Sequence, residues 1–196
     1  MSEPSASARV GIVTDSACDL PQELADRWGI EIVPLSIRFG EEELVDRDQL
    51  STDEFWARCA RTPELPATAA PSPGQFEEAY RRLAADGATG VVAITLSGAL
   101  SATHQSAELA ARALSEDGLD VRVVDSRSVT LGLGTIVLAC AERAAGGASV
   151  DEIAALAEDL AGRTRVFGAL DTLENLKKGG RIGNAKALLA TALSIK

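Results

Sequence analysis

One unit occurs three times along the chain: a short apolar run, a turn rich in hydroxyl groups, and then a helical pattern. The apolar runs cover residues 10–13, 90–94 and 121–124. Continuous apolar runs of this length are typical of strands buried on both faces, and strands that alternate with helices form parallel sheets. The sequence therefore predicts the α/β class, with a parallel sheet between two layers of helices.

Two segments between these units are less regular. Residues 30–39 alternate apolar and polar side chains around Pro34, which predicts one further strand at an edge or a bulge, followed by an acidic loop. Residues 62–73 contain four prolines and predict a loop, after which Ser72 and Gln75 have the spacing of a capping box that begins a helix. Loops of this length usually serve a function, so this loop is a place to look for site residues.

The chain after residue 148 predicts the start of a second domain. Ser149 and Glu152 have the spacing of a capping box, which begins a helix, and residues 165–170 predict a strand. An apolar helix is predicted over 185–193. So few elements cannot bury their own apolar faces. We therefore expect a disordered tail over 1–8, an α/β domain over 9–148, and the first part of an incomplete α/β domain over 149–196.

The charge balance and the cysteine count exclude several classes of function. The chain has 19 Lys and Arg against 29 Asp and Glu, a formal net charge of -10, which repels nucleic-acid phosphates and anionic membranes. Its three cysteines are widely separated and it has one histidine, so we expect no metal site. No apolar run approaches the ~20 residues of a membrane span, and the start lacks a signal-peptide pattern. We expect a cytoplasmic protein without stable membrane insertion.

Hydroxyl groups cluster where the predicted strands end. In a doubly wound sheet, ligands bind beyond the carboxyl ends of the strands, where helix N-termini present free N–H groups to anions. Ser97 and Gly98 lie in such a turn and Ser101 begins the next helix, so hydroxyl and N–H groups could converge on one carboxylate. A simple N-cap role is the commoner explanation for Ser101. Thr68, in the proline-rich loop, and Arg181, after a Gly-Gly pair, are weak candidates alone.

Enzyme motifs are scarce. The sequence has no GxSxG, P-loop or HExxH motif, and residues 132–134 lack the third glycine and the strand context of a dinucleotide-binding fingerprint. We therefore expect no cofactor. His104 lies close after Ser101 and Ser97, which leaves open a small serine hydrolase or transferase with one serine as nucleophile and His104 as base. A protein-interaction domain without a ligand is a third alternative.

Four motifs, taken together, resemble the DegV family in their order and spacing. The most specific is LKKGGRI at residues 176–182. The resemblance runs from about Arg9 to the end of the chain. The other motifs are VTDS with DLP at 13–16 and 19–21, TAAPSP at 68–73, and LSATHQSA at 100–107.

The resemblance implies two α/β domains with a long-chain fatty acid, such as palmitate, between them. Carried over residue by residue, it implies that the hydroxyls of Thr68 and Ser101 bind the carboxylate. Ser97 and Gly98 are then neighbours in the same turn, and Arg181 is a nearby positive charge. The resemblance also implies a carrier that is not an enzyme and that presents its fatty acid to a separate ATP-dependent fatty acid kinase.

The chain departs from the family pattern at several positions. Ala69 and Ala70 stand where the family has Ser and Gln, Ala102 replaces a Gly, and His104 replaces a Tyr. These changes leave the preferred acyl chain open. Because the family's second domain continues beyond the position of Lys196, the resemblance also implies a truncated C-terminal domain.

Overall fold

The computed structural model describes residues 9–62 and 64–182. The strands of this part of the chain are β1 (Arg9–Asp15), β2 (Ile30–Val33), β3 (Ser36–Phe39), β4 (Glu42–Val45), β5 (Ala67–Ala69), β6 (Ala88–Thr95) and β7 (Asp120–Asp125). The helices are α1 (Gln22–Trp28), α2 (Thr52–Arg61), α3 (Pro73–Ala85), α4 (Thr103–Ser115), α5 (Leu131–Ala145), α6 (Val150–Arg163) and α7 (Glu174–Lys178), with a 3-10 helix at Ser16–Cys18.

Four strands form the main sheet in the order β2-β1-β6-β7, and every neighbouring pair is parallel. The register places Ile12 of β1 between Ile30 of β2 and Val92 of β6. Parallel neighbours need a crossover, and α1 and α4 connect β1 to β2 and β6 to β7. The predicted α/β class with a parallel sheet is confirmed. Since β1, β6 and β7 are adjacent, their carboxyl ends meet at one end of the sheet.

Helices cover both faces of the main sheet, so the fold has three layers. Successive side chains of a strand point to opposite faces, and accordingly Ile12 and Val92 belong to one buried core while Val13 and Val91 belong to the other. The first core includes buried residues of α1, α5 and α6, and the second includes buried residues of α3 and α4. Each fully buried aliphatic side chain stabilises the fold by about 1.5–3 kcal/mol, which makes the sheet a rigid base for the turns at its end.

Two helices begin with the capping boxes that the sequence predicts. The Ser72 Oγ accepts a hydrogen bond from the Gln75 N–H at 3.4 Å, and the Ser149 Oγ accepts one from the Glu152 N–H at 3.3 Å. In both cases the side chain of the later residue also accepts from the backbone N–H of the serine. Both predictions are confirmed.

The chain after β2 differs from its prediction as one strand over 30–39. β2 ends at Val33, and β3 lies in a second sheet of order β4-β3-β5 whose pairs are antiparallel. Pro34 has no N–H for a ladder bond, and the Leu35 N–H donates to the Ser16 Oγ at 3.0 Å, so the chain leaves the main sheet here. The predicted acidic loop contains β4 and the predicted proline-rich loop contains β5. These loop predictions are wrong where cross-strand pairing with β3 overrides the local signal.

The chain after residue 148 begins with α6, which packs on the main sheet through Ile153 and Ala157 of the first core. The strand predicted over 165–170 is wrong, because no neighbouring strand of the described chain pairs with this segment and Phe167 is 92% exposed. The division into a domain over 9–148 and a second one over 149–196 stays a prediction. The predicted tail over 1–8 and the predicted helix over 185–193 lie outside the described residues.

Candidate functional site

The candidate site lies at the carboxyl end of the main sheet, around the turn that connects β6 to α4. We call residues 96–102 the Ser97 turn. Asp15, the last residue of β1, reaches this turn from one side. Its Oδ2 accepts a hydrogen bond from the Leu96 N–H at 2.7 Å, and its Oδ1 accepts one from the Ala17 N–H at 3.1 Å. The carboxylate thus joins the end of β1 to the start of the turn.

Asp15 is a buried acid, and burial disfavours the charged form of a carboxyl group. Burial raises the pKa of Asp15 from its ordinary value of 3.8 to about 6, although the hydrogen bonds from Leu96 and Ala17 lower it in part. At neutral pH the group is ionised and both oxygens accept hydrogen bonds. The site therefore contains a buried negative charge that titrates just below neutral pH.

Asp125, the last residue of β7, reaches the Ser97 turn from the opposite side. Its Oδ1 accepts hydrogen bonds from the Gly98 N–H at 3.2 Å and from the Arg127 N–H at 2.8 Å. A second link joins the backbones, since the Ser97 N–H donates to the Ser128 carbonyl at 2.8 Å. The amides of Ser97 and Gly98, which the sequence offers as donors for a ligand, therefore bond within the protein.

The two candidate serine hydroxyls also have partners in the turn. The Ser97 Oγ accepts from the Ala99 N–H at 3.3 Å, and the Ser101 Oγ accepts from the Thr103 N–H at 3.3 Å. Ser101 and Thr103 also share a hydroxyl–hydroxyl hydrogen bond of 2.9 Å. α4 begins at Thr103 and its N-cap residue is Ala102, with no side-chain cap. Ser101 lies one residue before the cap and bonds the first helical amide, so the simple N-cap interpretation of Ser101 is wrong. Each hydroxyl retains capacity for a further hydrogen bond.

His104 is bonded away from Ser101. Its Nδ1 lies 3.2 Å from the Oγ1 of the buried Thr95, and its Nε2 lies 3.7 Å from the Glu108 Oε1. In the described part of the chain, no hydrogen bond joins His104 to Ser101 or to Ser97. A base must be within hydrogen-bond reach of the proton that it removes. This geometry does not favour the hydrolase or transferase alternative.

A large cavity, which we call the Thr68 cavity, lies between α2, β5 and α7. Its volume is about 990 Å³. One wall is aromatic and aliphatic, and Trp56 on this wall is 65% exposed. The opposite wall carries the cationic groups of Lys178 and Arg181. The lining residues are Phe55, Trp56, Cys59, Thr62, Glu64, Leu65, Pro66, Ala67, Thr68, Asn175, Lys178, Gly179 and Arg181.

A second cavity, which we call the Ser97 cavity, lies beside the carboxyl ends of β6 and β7. Its volume is about 620 Å³. Leucine, valine and alanine side chains contribute to its lining, together with two serines and two arginines. The lining residues are Ser97, Ala99, Leu100, Arg127, Ser128, Val129, Ala161, Gly162, Thr164, Arg165 and Val166.

The predicted site residues are brought together in part. Arg181 connects the two cavities, because its Nε donates to the Leu100 carbonyl at 3.2 Å and Leu100 lines the Ser97 cavity. Among the five candidates, Thr68 and Arg181 line the Thr68 cavity, Ser97 lines the Ser97 cavity, and Gly98 and Ser101 lie in the turn without lining either.

Several lining residues are not among the candidates from the sequence. Lys178 is one of them: a lysine in the last turn of a helix is already explained by its favourable interaction with the helix dipole, so its position did not indicate a site. The two glycines that follow return the chain toward the cavity, and Gly180 has a left-handed φ of 74°. Trp56 is another: its exposure on the cavity wall depends on the position of α2 beside β5. A Lys and an Arg on either side of a Gly-Gly pair is the local signal that could have indicated a cationic wall.

Residues 9–62 and 64–182 contain no group of histidine, cysteine or acidic side chains with the arrangement of a metal site. No helix in these ranges has the length and apolar character needed to cross a membrane.

Comparison with known protein sequences identifies one family. The family model described as "Uncharacterised protein, DegV family" matches residues 9–196. A DegV domain-containing protein of Streptomyces coelicolor is 42% identical over 190 residues, which cover 97% of this chain and 66% of the relative. One from Clostridium perfringens is 36% identical over 188 residues, with 96% and 66% covered. The chain spans just under two thirds of the length of these curated relatives.

Comparison with solved structures finds the same fold. A DegV family protein from Thermus thermophilus, described by its fatty acid binding, has a TM-score of 0.82 and 38% identity, and the match covers 95% of this chain and 65% of that one. A stearic acid-binding protein from Eubacterium ventriosum has a TM-score of 0.83 and 31% identity, with 93% and 62% covered. The chain therefore shares its α/β fold with both of these proteins.

Proposed function

The chain belongs to the DegV family, and we propose that it binds one long-chain fatty acid and carries it without catalysing a reaction. Relatives that share its fold support fatty acid binding: the Thermus thermophilus and Bacillus subtilis proteins are described as binding fatty acids. The single observation that carries the proposal is Arg181, which lines the Thr68 cavity and bonds to Leu100 of the Ser97 cavity. A ligand with an anionic head and an apolar tail fits this junction.

We place the carboxylate of the fatty acid on the Arg181 side of the junction. Thr68 and Arg181 line one cavity, and Lys178 adds a second cation to its wall. A carboxylate accepts several hydrogen bonds at once, and those from an arginine are the strong, charge-assisted kind. Ser101 and Ser97 keep hydroxyl capacity in the adjacent turn. Because the Gly98 amide is already bonded to Asp125, Gly98 contributes the shape of the turn and not a donor.

We place the acyl chain in the Ser97 cavity. Its volume of about 620 Å³ lies within the usual range of roughly 300–1,000 Å³ for ligand pockets. Leu100, Val129 and Val166 offer aliphatic contacts along its wall. Each buried CH2 group stabilises the complex by about 0.8 kcal/mol, so a tail of about sixteen carbons contributes on the order of 10 kcal/mol before the costs of binding. The tail then supplies most of the affinity, and the head group sets the orientation.

We further propose that the bound carboxylate is presented to a separate ATP-dependent fatty acid kinase. The carboxylate, placed beside Thr68 and Arg181, faces a cavity walled by exposed residues such as Trp56 and Lys178. A carrier that delivers its ligand to another enzyme needs no general base, and His104 is hydrogen-bonded to Thr95 and lies near Glu108, away from both serines. A cytoplasmic location is part of the same proposal.

Native mass spectrometry of the gently purified chain tests fatty acid binding. We expect a protein mass increased by that of one long-chain fatty acid, which organic extraction removes and added palmitate restores. Labelling by a serine-reactive phosphonate serves as the control for a hydrolase, and we expect none. A chain that carries no lipid and does not take up palmitate would contradict the proposal, and stoichiometric phosphonate labelling of Ser101 or Ser97 would support the hydrolase.

A further inference from the structure

The Ser97 turn is held between two carboxylates that come from the strands on either side of β6. Asp15, at the end of β1, accepts from the Leu96 N–H at 2.7 Å, and Asp125, at the end of β7, accepts from the Gly98 N–H at 3.2 Å. We propose, resting on the fatty acid binding proposed above, that Asp15 and Asp125 are positioning residues that hold this turn in its ligand-binding conformation.

The two amides that the carboxylates bond flank Ser97 in the sequence. Ser97 lines the cavity assigned to the acyl chain, and its carbonyl accepts from the Leu100 and Ser101 N–H groups at 2.9 and 3.2 Å. Leu100 in turn bonds Arg181. A shift of the turn therefore moves Ser97, the Leu100 wall and the arginine together. Neither acid lines the Thr68 cavity or the Ser97 cavity, so each acts on the proposed ligand through the turn.

Each of the two carboxylates also accepts a second hydrogen bond, which fixes its own position. Asp15 also accepts from the Ala17 N–H, and Asp125 also accepts from the Arg127 N–H. Each carboxylate therefore bonds an amide just after its own strand and an amide of the turn. An asparagine offers only one acceptor oxygen. At Asp15, where each oxygen bonds a different amide, its NH2 group would face one of the two N–H donors, so asparagine cannot reproduce the arrangement there.

The two acids differ in burial, which separates them experimentally. Asp15 is fully buried, whereas Asp125 is half-buried. Burial raises the pKa of Asp15 to about 6, so acidification below this value removes one of the two acceptors with which Asp15 holds the turn. We call the two carboxylates, with their hydrogen bonds to the turn, the clamp. Other titratable and charged groups around this end of the sheet are Cys18 and Asp19 after β1, Arg47 after β4, His104 of α4, and Asp125 of β7.

Fatty acid affinity as a function of pH tests the clamp. Palmitate binding is measured from about pH 8 to about pH 5 for the natural chain, Asp15→Asn and Asp125→Ala. Alanine is used at 125 because a single oxygen of Asp125 accepts both N–H groups, so asparagine could keep both bonds. We expect the natural chain to lose about tenfold in affinity as the pH falls through about 6. Asp15→Asn should bind about tenfold more weakly at pH 8 and show only the shallower dependence that the ligand's own carboxyl group causes. Asp125→Ala should bind roughly threefold more weakly and keep the natural pH profile.

The matched control is Asp120→Asn, which removes an acid from the opposite end of β7 and should leave both the affinity and the profile unchanged. An Asp15→Asn variant that binds like the natural chain with the same pH profile would overturn the clamp. So would a folded Asp125→Ala variant with full affinity.

Amide hydrogen exchange in the ligand-free protein separates failure of the clamp from failure of the proposed function. We expect the Leu96 amide to exchange at least tenfold faster in Asp15→Asn, and the Gly98 amide in Asp125→Ala, while the Val92 amide in the middle of β6 is unchanged. If these changes occur but the natural chain binds no palmitate, the clamp stands and the proposed function fails. If palmitate binds and the exchange rates do not change, the clamp fails alone.

Discussion

The Ser97 turn and the wall of the Thr68 cavity both contain residues of the candidate site, but their polar groups are bonded differently. In the turn, the amides of Leu96, Ser97 and Gly98 each donate to a fixed acceptor from a neighbouring strand or turn. In the cavity wall, Thr68 lies on an exposed strand. Arg181 is exposed and, within the described residues, donates hydrogen bonds to the backbone carbonyls of Leu100 and Gly179.

This difference indicates a division of work within one site. A turn whose donors are already bonded adds few new hydrogen bonds to a ligand, but it holds its hydroxyls in one place. An exposed cation retains donors for a carboxylate, although water competes for them. We infer that the turn contributes shape, and that the cavity wall contributes most of the polar part of the affinity.

The first prediction concerns the close packing of α5 against the 3-10 helix at Ser16–Cys18, and it has the largest expected effect. A Cβ on Gly134 of α5 would lie 2.4 Å from the Cys18 carbonyl oxygen and 3.1 Å from the Leu20 Cδ2. α5 therefore has to move away from the 3-10 helix in Gly134→Ala. We expect the free energy of unfolding to fall by about 3 kcal/mol, at the upper end for overpacking, as measured by denaturant titration.

The matched control for this prediction is Gly162→Ala in α6, where a new Cβ would have no heavy atom within 4 Å. Alanine is favoured over glycine in a helix, so we expect a gain of roughly 0.5–1 kcal/mol. Equal effects of the two substitutions would contradict the close packing of α5 against the end of β1.

The second prediction uses the buried charge of Asp15. Its folded pKa of about 6 lies above the ordinary 3.8, so its contribution to stability is fully present below about pH 4 and is lost as the pH rises through about 6. The unfolding free energy of the natural chain, minus that of Asp15→Asn, should fall by roughly 2 to 3 kcal/mol between pH 4 and pH 7. Denaturant titrations at several pH values measure this difference, and a flat difference would place Asp15 in contact with water.

The sign of this effect is opposite to that expected for ligand binding. Acidification favours the folded state through Asp15, whereas it weakens the clamp on the Ser97 turn. A loss of affinity at low pH that simply followed loss of the fold would therefore require both quantities to fall together. Measured together, the pH profile of the unfolding free energy and that of palmitate affinity separate the stability of the fold from the placement of the Ser97 turn.

The main sheet could be predicted from the sequence because the patterns that indicate its strands and helix starts are local. Continuous apolar runs predicted β1, β6 and β7, and the Ser72 and Ser149 capping boxes marked two helix starts. The second sheet was harder to predict. β3 and β4 form a short hairpin, but these strands have few buried residues to create a pattern, and β5 pairs with β3 from a distant part of the sequence, Thr68 opposite Ile37. Residues 165–170 failed for the related reason that an apolar segment becomes a strand only when a neighbour pairs with it.

The candidate site was predictable only in its composition. Thr68, Ser97 and Arg181 all line cavities, yet nothing local shows that Arg181 reaches Leu100, 81 positions earlier in the chain. The bonds that occupy the Gly98 amide were equally hidden, since Asp125 follows it by 27 positions. Long-range hydrogen bonds decide which donors remain for a ligand, and a single sequence does not encode them in a readable spacing.

The third prediction concerns the cation of the cavity wall. Arg181→Gln removes the charge while keeping a polar side chain, and we expect the affinity for palmitate to fall about tenfold because a charge-assisted hydrogen bond is lost. Lys177→Gln is the matched control: Lys177 is exposed in the same helix–turn segment but does not line the Thr68 cavity. Isothermal titration measures both. An equal loss of affinity in Lys177→Gln would mean that Arg181 acts through its general positive charge and not through a direct bond to the carboxylate.

The fourth prediction concerns Thr68 and has the smallest expected effect. Valine has nearly the shape of threonine and suits a strand, so Thr68→Val removes the hydroxyl while preserving β5. We expect about a threefold loss of palmitate affinity, because an exposed neutral hydrogen bond contributes less than a charged one. If Thr68 and Arg181 bind the same carboxylate, the double variant with Arg181→Gln should lose less than the product of the single losses. Thr68→Val combined with Lys177→Gln should be multiplicative, and the same result with Arg181→Gln would mean that Thr68 and Arg181 do not share a ligand group.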